Sequence, residues 1–372
     1  MQGAIIVKQP LVSTVITSYN YGKYIRSALE SVKNQTYRPI ECIIIDDAST
    51  DDSVNIIREF IKENPGTNDL SFRLVQMERN SGQLAAFERG IRESRGVFLN
   101  FLDADDMLLS DFINTHVQVL LNTNVGMSVS EQIIVDETSS VISMTEDCWD
   151  MGFRNIYPLH DICEFNKFSE ILKTIRIPDN DDGKLKVELN KQYLFGFWFW
   201  RPTSNILFRR SILEIFDFSS EYDTWRICAD RLLLNLVHYT AGSCHISRRL
   251  AVYRRHGMNS FNKRKVFGIS QYVPKLERKL DGSKEKAAYS IFSIFLRKMN
   301  RNDASYSDSA FFRTPVMKIL PALSPLFILR YFPLWSKLLG SVSTILILPC
   351  LPFLGIWIRM KKLMFVLSGK PK

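Results

Sequence analysis

The sequence has no C-x-x-C pair: its six cysteines, Cys42, Cys148, Cys163, Cys228, Cys244 and Cys350, are scattered. That spacing argues against a zinc ribbon or a redox dithiol, and reduced thiols in a cytosol fit it best. At the N-terminus no charged segment leads into a long apolar run and a small-residue cleavage site. No secretory signal is read there, and the catalytic part is expected to face the cytoplasm. Internal repeats and low-complexity tracts are missing, which removes a solenoid. Acidic residues vanish from Ser309 onward, where nine Lys or Arg stand with no Asp or Glu and account for the whole formal charge of +9. The basicity therefore belongs to one apolar terminal stretch, which suits anionic lipid head groups; no nucleic-acid partner is expected.

What is present is a globular composition, 46% apolar over 372 residues, enough for one large domain or two modest ones. The first third alternates β-branched runs with helix-length amphipathic segments, the pattern of an α/β fold with a mostly parallel sheet flanked by helices. Strands are predicted over Leu11 to Thr17, Cys42 to Ile45, Phe72 to Gln76 and Val97 to Leu102. Helices are predicted over Tyr24 to Asn34, after Asp51 up to Pro65, and from Ser81 to Gly96. A second legible stretch runs from Thr203 to Ser260. It holds a strand over Asn205 to Phe208, a helix from Cys228 to about Tyr239 and a strand over Ala251 to Tyr253. Between the two stretches, Asp179 to Gly183 reads as an exposed loop.

The fourth strand runs straight into Asp103-Ala104-Asp105-Asp106. Three carboxylates in four residues repel one another unless a hard divalent cation sits among them, and Mg²⁺ or Mn²⁺ held by oxygen ligands would bridge a diphosphate. The alternative is that these aspartates cap a helix beginning near Met107. Asp46 and Asp47 follow the second strand in the same way, and a carboxylate there can accept the imide N–H of a uracil-like base. Thr17, Tyr19 and Asn20 end the first strand beside them. Thr17 and Asn20 offer polar contacts, and Tyr19 offers either a stacking face or a packing residue.

Taken in order, VSTVITSYNYGKYIRSALESVKNQTY, IECIIIDDASTDDS and NSGQLAAFERGIRESRGVFLNFLDADD resemble the family 2 glycosyltransferases, inverting enzymes with the GT-A fold. The likeness is close over roughly Val12 to Asp111 and looser over Thr203 to Ser260. It implies a nucleoside-diphosphate sugar donor, UDP-linked by preference, with the base near Thr17, Tyr19 and Asp47. It implies that Asp103 and Asp105 form the D-x-D motif, Asp105 at metal and diphosphate and Asp103 nearer ribose or metal. Such enzymes usually carry a Glu-Asp pair at a helix start, whose Asp is the catalytic base. Here Ala229 and Asp230 match it; the Glu is absent, and a helix-terminal carboxylate offsetting the dipole is the other reading of Asp230. YRRHGMNS resembles the closing stretch of the family, which makes His256 either a metal ligand or a surface histidine, with Arg254 and Arg255 either at the departing diphosphate or solvated. A further departure is Ala86-Phe87-Glu88, where relatives often show Ala-Arg-Asn; Gln83 is then the candidate for a polar contact to the donor.

The resemblance implies residues 1–125 as the nucleotide-sugar half and 126–265 as the acceptor half; beyond them, 266–314 are read as a helical linker and 315–372 as an apolar, basic, membrane-associated tail. Within that tail Leu338 to Ile358 is uncharged and about 20 residues suffice to cross a bilayer. Pro349 and Pro352 break it, and basic residues flank both ends, which favours an interfacial or re-entrant segment on the cytoplasmic face of the plasma membrane over a true span or a soluble apolar helix pair. The aromatic run Phe195 to Arg201 suits a sugar acceptor, a lipid interface or a buried strand. The acceptor is expected to be a glycan or lipid-linked sugar of a bacterial cell-surface polysaccharide. A processive synthase is disfavoured by the missing Q-x-x-R-W signature and multiple spans. Two other readings stand beside the transferase: a sugar nucleotidyltransferase, for which the Gly-rich, Arg-containing phosphate loop is missing, and a non-catalytic nucleotide-binding membrane scaffold.

Overall fold

The computed structural model describes residues 9–143, 187–189, 202–257, 290, 291, 293 and 294. The chain divides into two compact units, one formed by Met1–Tyr193 and Phe197–Pro274, the other by Leu194–Gly196 and Lys275–Lys372. All the elements below belong to the first. The linker, the tail from 315 onward, the aromatic run Phe195 to Arg201 and the loop Asp179 to Gly183 lie outside the described residues, apart from the four linker positions 290, 291, 293 and 294. Among the described residues no helix is long and apolar enough to cross a membrane.

The elements follow in the order β1 (Val12–Ser18), α1 (Gly22–Lys33), β2 (Ile40–Asp46), α2 (Ser53–Glu63), β3 (Leu70–Gln76), α3 (Gln83–Glu93) and β4 (Phe98–Asp103). Next come β5 (Met107–Leu108), α4 (Phe112–Leu121), β6 (Met127–Val135), β7 (Val141–Ser143) and β8 (Val187–Leu189). The last are β9 (Ile206–Arg209), α5 (Arg210–Leu213), α6 (Ala229–Ala241) and β10 (Ser243–Arg254). They build one sheet in the order β3-β2-β1-β4-β9-β6-β10-β5, with β7 beside β6 and β8 beside β10. The first four strands pair in parallel. Beyond β4 the sheet is mixed: β9 is antiparallel to both β4 and β6, β6 and β10 are parallel, and β5 is antiparallel to β10. The expectation of a mostly parallel sheet is thus corrected to a parallel half joined to a mixed half. The antiparallel partners are short strands contributed by return segments, which need no crossover helix.

Alternation sorts the strand residues to two faces. Val12 and Ile16, Cys42 and Ile44, and Phe98 and Leu102 join one apolar cluster with Ile25, Leu29 and Val32 of α1, Ile57 and Phe60 of α2, and Phe112 and Val117 of α4. The opposite residues meet α3: Phe87 stacks on Phe101 with ring centroids 4.4 Å apart. A Cβ at Gly90 would lie 2.4 Å from Val15 Cγ1, so glycine lets α3 descend onto β1. β2 is buried at every position, as a strand covered on both sides must be, and therefore reads as a continuous apolar run. β3 at the edge alternates between partly buried and exposed residues.

Two sequence expectations change here. No helix starts near Met107; Met107 and Leu108 pair antiparallel with Val252 and Ala251, and α4 starts at Phe112. The aspartates before Met107 therefore do not cap a helix. β10 is also far longer than the predicted Ala251 to Tyr253, spanning 12 residues. Its polar residues His245, Ser247, Arg248 and Arg249 hide the strand pattern, and shifts in its pairing with β6 interrupt the alternation.

Candidate active site

Parallel register brings three strand ends to one rim. Thr17 stands opposite Asp103 and Ser18 opposite Asp46, so the chain leaving β1, β2 and β4 converges at the carboxyl edge, where open α/β sheets bind ligands.

At the β1–β2 side, side chains tie loop to loop. Asn20, with φ of 61°, accepts at Oδ1 from the Thr50 N–H at 2.7 Å and the Asp51 N–H at 3.3 Å. Its own N–H donates to Ser49 Oγ. Both oxygens of Asp46 are taken by Ser49, from its N–H at 2.9 Å and its hydroxyl at 2.6 Å, an Asx-type turn. Asp51 accepts from the first backbone N–H of both neighbouring helices, at Gly22 and Ser53, which offsets unpaired helix-terminal donors. These hydrogen bonds hold its pKa below the usual carboxylate range despite partial burial. Asp47 accepts the Ser81 N–H at 2.7 Å and the Gly82 N–H at 2.8 Å, one on each oxygen. Burial pushes its pKa up while those two donors pull it down. Tyr19 is 42% exposed, so packing does not account for it and its ring is open to a stacking partner.

At the β4 side like charges crowd together. Burial, then the charge of Asp105, then that of Asp230 raise Asp103 to about 8, with only a long 3.5 Å contact from the Thr17 hydroxyl acting the other way. Asp106 is raised well above its ordinary value by burial and by Asp105 and Asp103. It is nearly inaccessible and accepts from the Ser204 hydroxyl at 2.7 Å and the Arg254 N–H at 3.0 Å. Asp106 is thus a structural strut between β4, β10 and the turn before β9. Asp105 lies 2.8 Å from His256 Nε2. Tyr24 stacks on the imidazole at 4.7 Å and Tyr21 meets it edge-on at 5.9 Å. The Tyr21 phenol is held far above its usual pKa by burial and by Asp105, Asp103 and Asp106, so it remains neutral and able to donate.

His256 is 5% exposed, which removes the surface-loop reading. Arg254 is neither solvated nor free for a diphosphate: it is buried, its guanidinium donating to the Asp105 carbonyl at 3.0 Å and Ser139 Oγ at 2.7 Å and lying over the Tyr24 ring. The Arg255 N–H donates to the Val135 carbonyl.

Asp230 opens α6 in its first turn. Burial raises it to about 6 against the Arg231 N–H, which it accepts at 2.9 Å. Its influence on Asp103 places the two carboxylates in one electrostatic neighbourhood although they are far apart in sequence. Gln83 does not stand free: its Oε1 accepts the Ala229 N–H at 2.9 Å. The unusual Phe87-Glu88 pair is structural, Phe87 filling the α3 face and Glu88 holding Tyr222 and Arg92.

Sequence reading missed Ser204, whose hydroxyl accepts the Asp103 N–H and donates to Asp106, and the two tyrosines around His256. A lone serine in a Thr-Ser-Asn run carries no signal for a contact 101 residues away. Tyr21, by contrast, precedes a glycine in a turn and could have been weighed with Tyr19.

A family description, Glycosyl transferase family 2, matches residues 13–216. The chain belongs to that family. An uncharacterized glycosyltransferase of Nostoc sp. is 29% identical over 251 residues, covering 67% of this chain and 66% of that protein. A putative teichuronic acid biosynthesis glycosyltransferase of Bacillus subtilis, TuaG, is 31% identical over 120 residues, 32% of this chain and 46% of that protein. Among solved structures, a mannosyltransferase of Pyrobaculum calidifontis in complex with GDP-Man and Mn²⁺ superposes with a TM-score of 0.43 at 14% identity, over 85% of this chain and 86% of that one. The chain spans less than two thirds of the length of the curated relatives it matches.

Proposed function

We propose that this family 2 glycosyltransferase moves a sugar from a nucleoside-diphosphate donor to a hydroxyl of a glycan or lipid-linked acceptor, with inversion, in bacterial cell-surface polysaccharide synthesis. The observation that carries the reading is the convergence of Asp103, Asp105 and Asp230 at one rim of a GT-A-like sheet, with pKa values pushed up at Asp103 and Asp230 by burial and, at Asp103, by like charge. Perturbed carboxylates held together in this way suit chemistry more than packing.

Asp230 is the base. A carboxylate with a pKa of about 6 is ionised at neutral pH and basic enough to take a proton from an acceptor hydroxyl as it attacks the anomeric carbon. Thr17, Tyr19 and Asn20 line the rim where the nucleotide lies, with Tyr19 as the stacking face, and Asp46 and Asp47 shape that end of the site. Tyr21 donates from a neutral phenol beside the acidic cluster.

The donors nearest a divalent ion in this reading are Asp105, with Asp103 and His256 beside it. The residual like-charge repulsion calls for a cation, and the oxygen ligands suit Mg²⁺ or Mn²⁺. Among the described residues no three His, Cys, Asp or Glu side chains form a ready metal cage. The ion is therefore read as held by one or two carboxylates together with substrate phosphates. When bound, the ion supplies positive charge for the departing diphosphate. The nine-cation tail beyond Ser309 supports placement at the cytoplasmic face of the membrane, peripheral or re-entrant.

The test is a screen of UDP-, GDP- and dTDP-sugars with Mn²⁺ or Mg²⁺, reading thermal stabilisation and donor hydrolysis. Hydrolysis of one donor that disappears on chelation supports the reading. Pyrophosphate-dependent chemistry, or nucleotide binding with no turnover on any donor or acceptor, overturns it.

A further inference from the structure

The N-terminus of α6 carries the proposed base, and its N-cap residue Cys228 holds it through the backbone, its carbonyl accepting the Arg231 N–H at 3.2 Å. Cys228 sits in the left-handed region with φ of 57°, and its side chain makes no cap hydrogen bond. A helix start leaves its first backbone N–H groups without intrahelical partners. Here the first of them, at Ala229, is taken by a residue 146 positions away: Gln83 Oε1 accepts it at 2.9 Å.

Gln83 is gripped in turn. Its own N–H donates to the Arg226 carbonyl at 2.9 Å, and the next N–H, at Leu84, reaches the Trp225 carbonyl at 3.3 Å. Arg226 reaches back, its guanidinium donating to the Asn80 side chain and carbonyl. Between them Gly82, with φ of +90°, lies so close to Arg226 that a Cβ there would stand 2.7 Å from its Cα. The N–H of Gly82 is fixed by Asp47 at 2.8 Å. Five successive residues, Asn80 to Leu84, are thus clasped to the segment just before Asp230 on one side and to the end of β2 on the other.

We propose that Gln83 is a positioning residue for Asp230: it caps α6 from the N-terminus of α3 and fixes where the base stands at the rim. Its amide oxygen is spent on the Ala229 N–H and so is not offered to the donor as the sequence alone implied. The same clasp joins the nucleotide end of the site, through Asp47 and Gly82, to the catalytic end.

The inference rests on Asp230 being the base, so Asp230→Asn is measured in parallel. The full chain is assayed at pH 8 with the best-hydrolysed member of a UDP-, GDP- and dTDP-sugar panel, and the matching nucleoside diphosphate with Mn²⁺ serves as the binding probe. Gln83→Met keeps length and loses the acceptor; Gln83→Glu keeps an acceptor. Gln83→Met is expected to lower kcat about 10- to 100-fold, as for a misplaced catalytic group, with nucleotide affinity within about twofold. Gln83→Glu is expected to recover at least half of that loss on a logarithmic scale. A Gln83→Met enzyme with unchanged kcat overturns the proposal. So does one that loses nucleotide affinity while keeping kcat, since Gln83 then touches the donor. If Gln83→Met fails to fold, Gln83→Glu decides: near-normal kcat upholds the cap, and kcat as low as that of Asp230→Asn with normal melting rejects it. If Asp230→Asn itself retains turnover, the base assignment fails and this inference with it. If only Gln83→Met is normal, the base assignment stands alone.

Discussion

The acids that follow β2 and those that follow β4 occupy equivalent places at the same sheet edge and have their charge met in different ways. After β2, Asp46 and Asp51 turn each oxygen toward an N–H or a hydroxyl, and Asp47 receives a backbone N–H on each. Those carboxylates shape two loops and a helix start. After β4, Asp103 has one long contact from Thr17 and two negative neighbours, and Asp106 is satisfied but crowded. Donor-saturated acids build the scaffold, whereas acids left facing each other store repulsion that a cation or a proton relieves. On the proposed function, the difference separates the architecture of the rim from its chemistry.

The sharpest way to break that contrast is Asp230→Asn. Turnover is expected to fall at least about 100-fold with donor affinity retained, as for a lost general base. Wild-type turnover is expected to drop about tenfold per unit below pH 6, where the carboxyl held at about 6 takes up its proton; Asp230→Asn should lose that limb. Turnover within tenfold of wild type in the variant removes Asp230 from the role. Next in size, Asp105→Ala is expected to weaken Mn²⁺-dependent nucleotide binding by about 100-fold, consistent with loss of a ligand and of the partner of His256. Calorimetry with and without Mn²⁺ checks it, and unchanged affinity would place the ion elsewhere.

Much of this was legible from residue order. The four parallel strands, three helices and both acidic motifs follow from runs such as IECIIIDD, because buried parallel strands must be continuously apolar and their ends must turn polar. The mixed half was not. β6 buries Ser128, Ser130 and Gln132, so its alternation is masked by polar residues that sequence reading sends to the surface. β10 carries charges through its middle for the same result. In the site, positions were legible and partnerships were not: nothing local to Gln83 announces a bond to Ala229, and nothing local to Arg254 announces burial under Tyr24. Such contacts depend on which segments the sheet order brings side by side.

Without metal, the acids after β4 make the fold prefer acid. Asp103 is raised to about 8 from an ordinary 3.8. Between those values the folded state holds a proton that the unfolded chain has lost, so stability rises as pH falls. The apo-protein is expected to melt higher at pH 6 than at pH 9, and Asp103→Asn, which removes the charge, to gain on the order of 1 kcal/mol at pH 8. The gain is kept small because Asp103 retains some contact with solvent. Addition of Mn²⁺ with a nucleoside diphosphate should flatten the wild-type profile, and a profile that is already flat without metal would show the acids to be screened by something other than a cation.

Asp51, after β2, predicts the reverse sign and a smaller change. Asp51 lies below its ordinary pKa because Ser53 and Gly22 donate to its ionised form; its contribution is present at neutral pH and is lost only as pH falls below about 4. Asp51→Asn keeps an acceptor and loses the charge, so it should cost about 0.5 kcal/mol at pH 7 and less at pH 3, below the ordinary carboxylate pKa. Urea midpoints at the two pH values separate the outcomes. A loss undiminished at pH 3 would mean that shape and not charge holds the loops together, and a gain like that of Asp103→Asn would erase the distinction between the two halves of the rim.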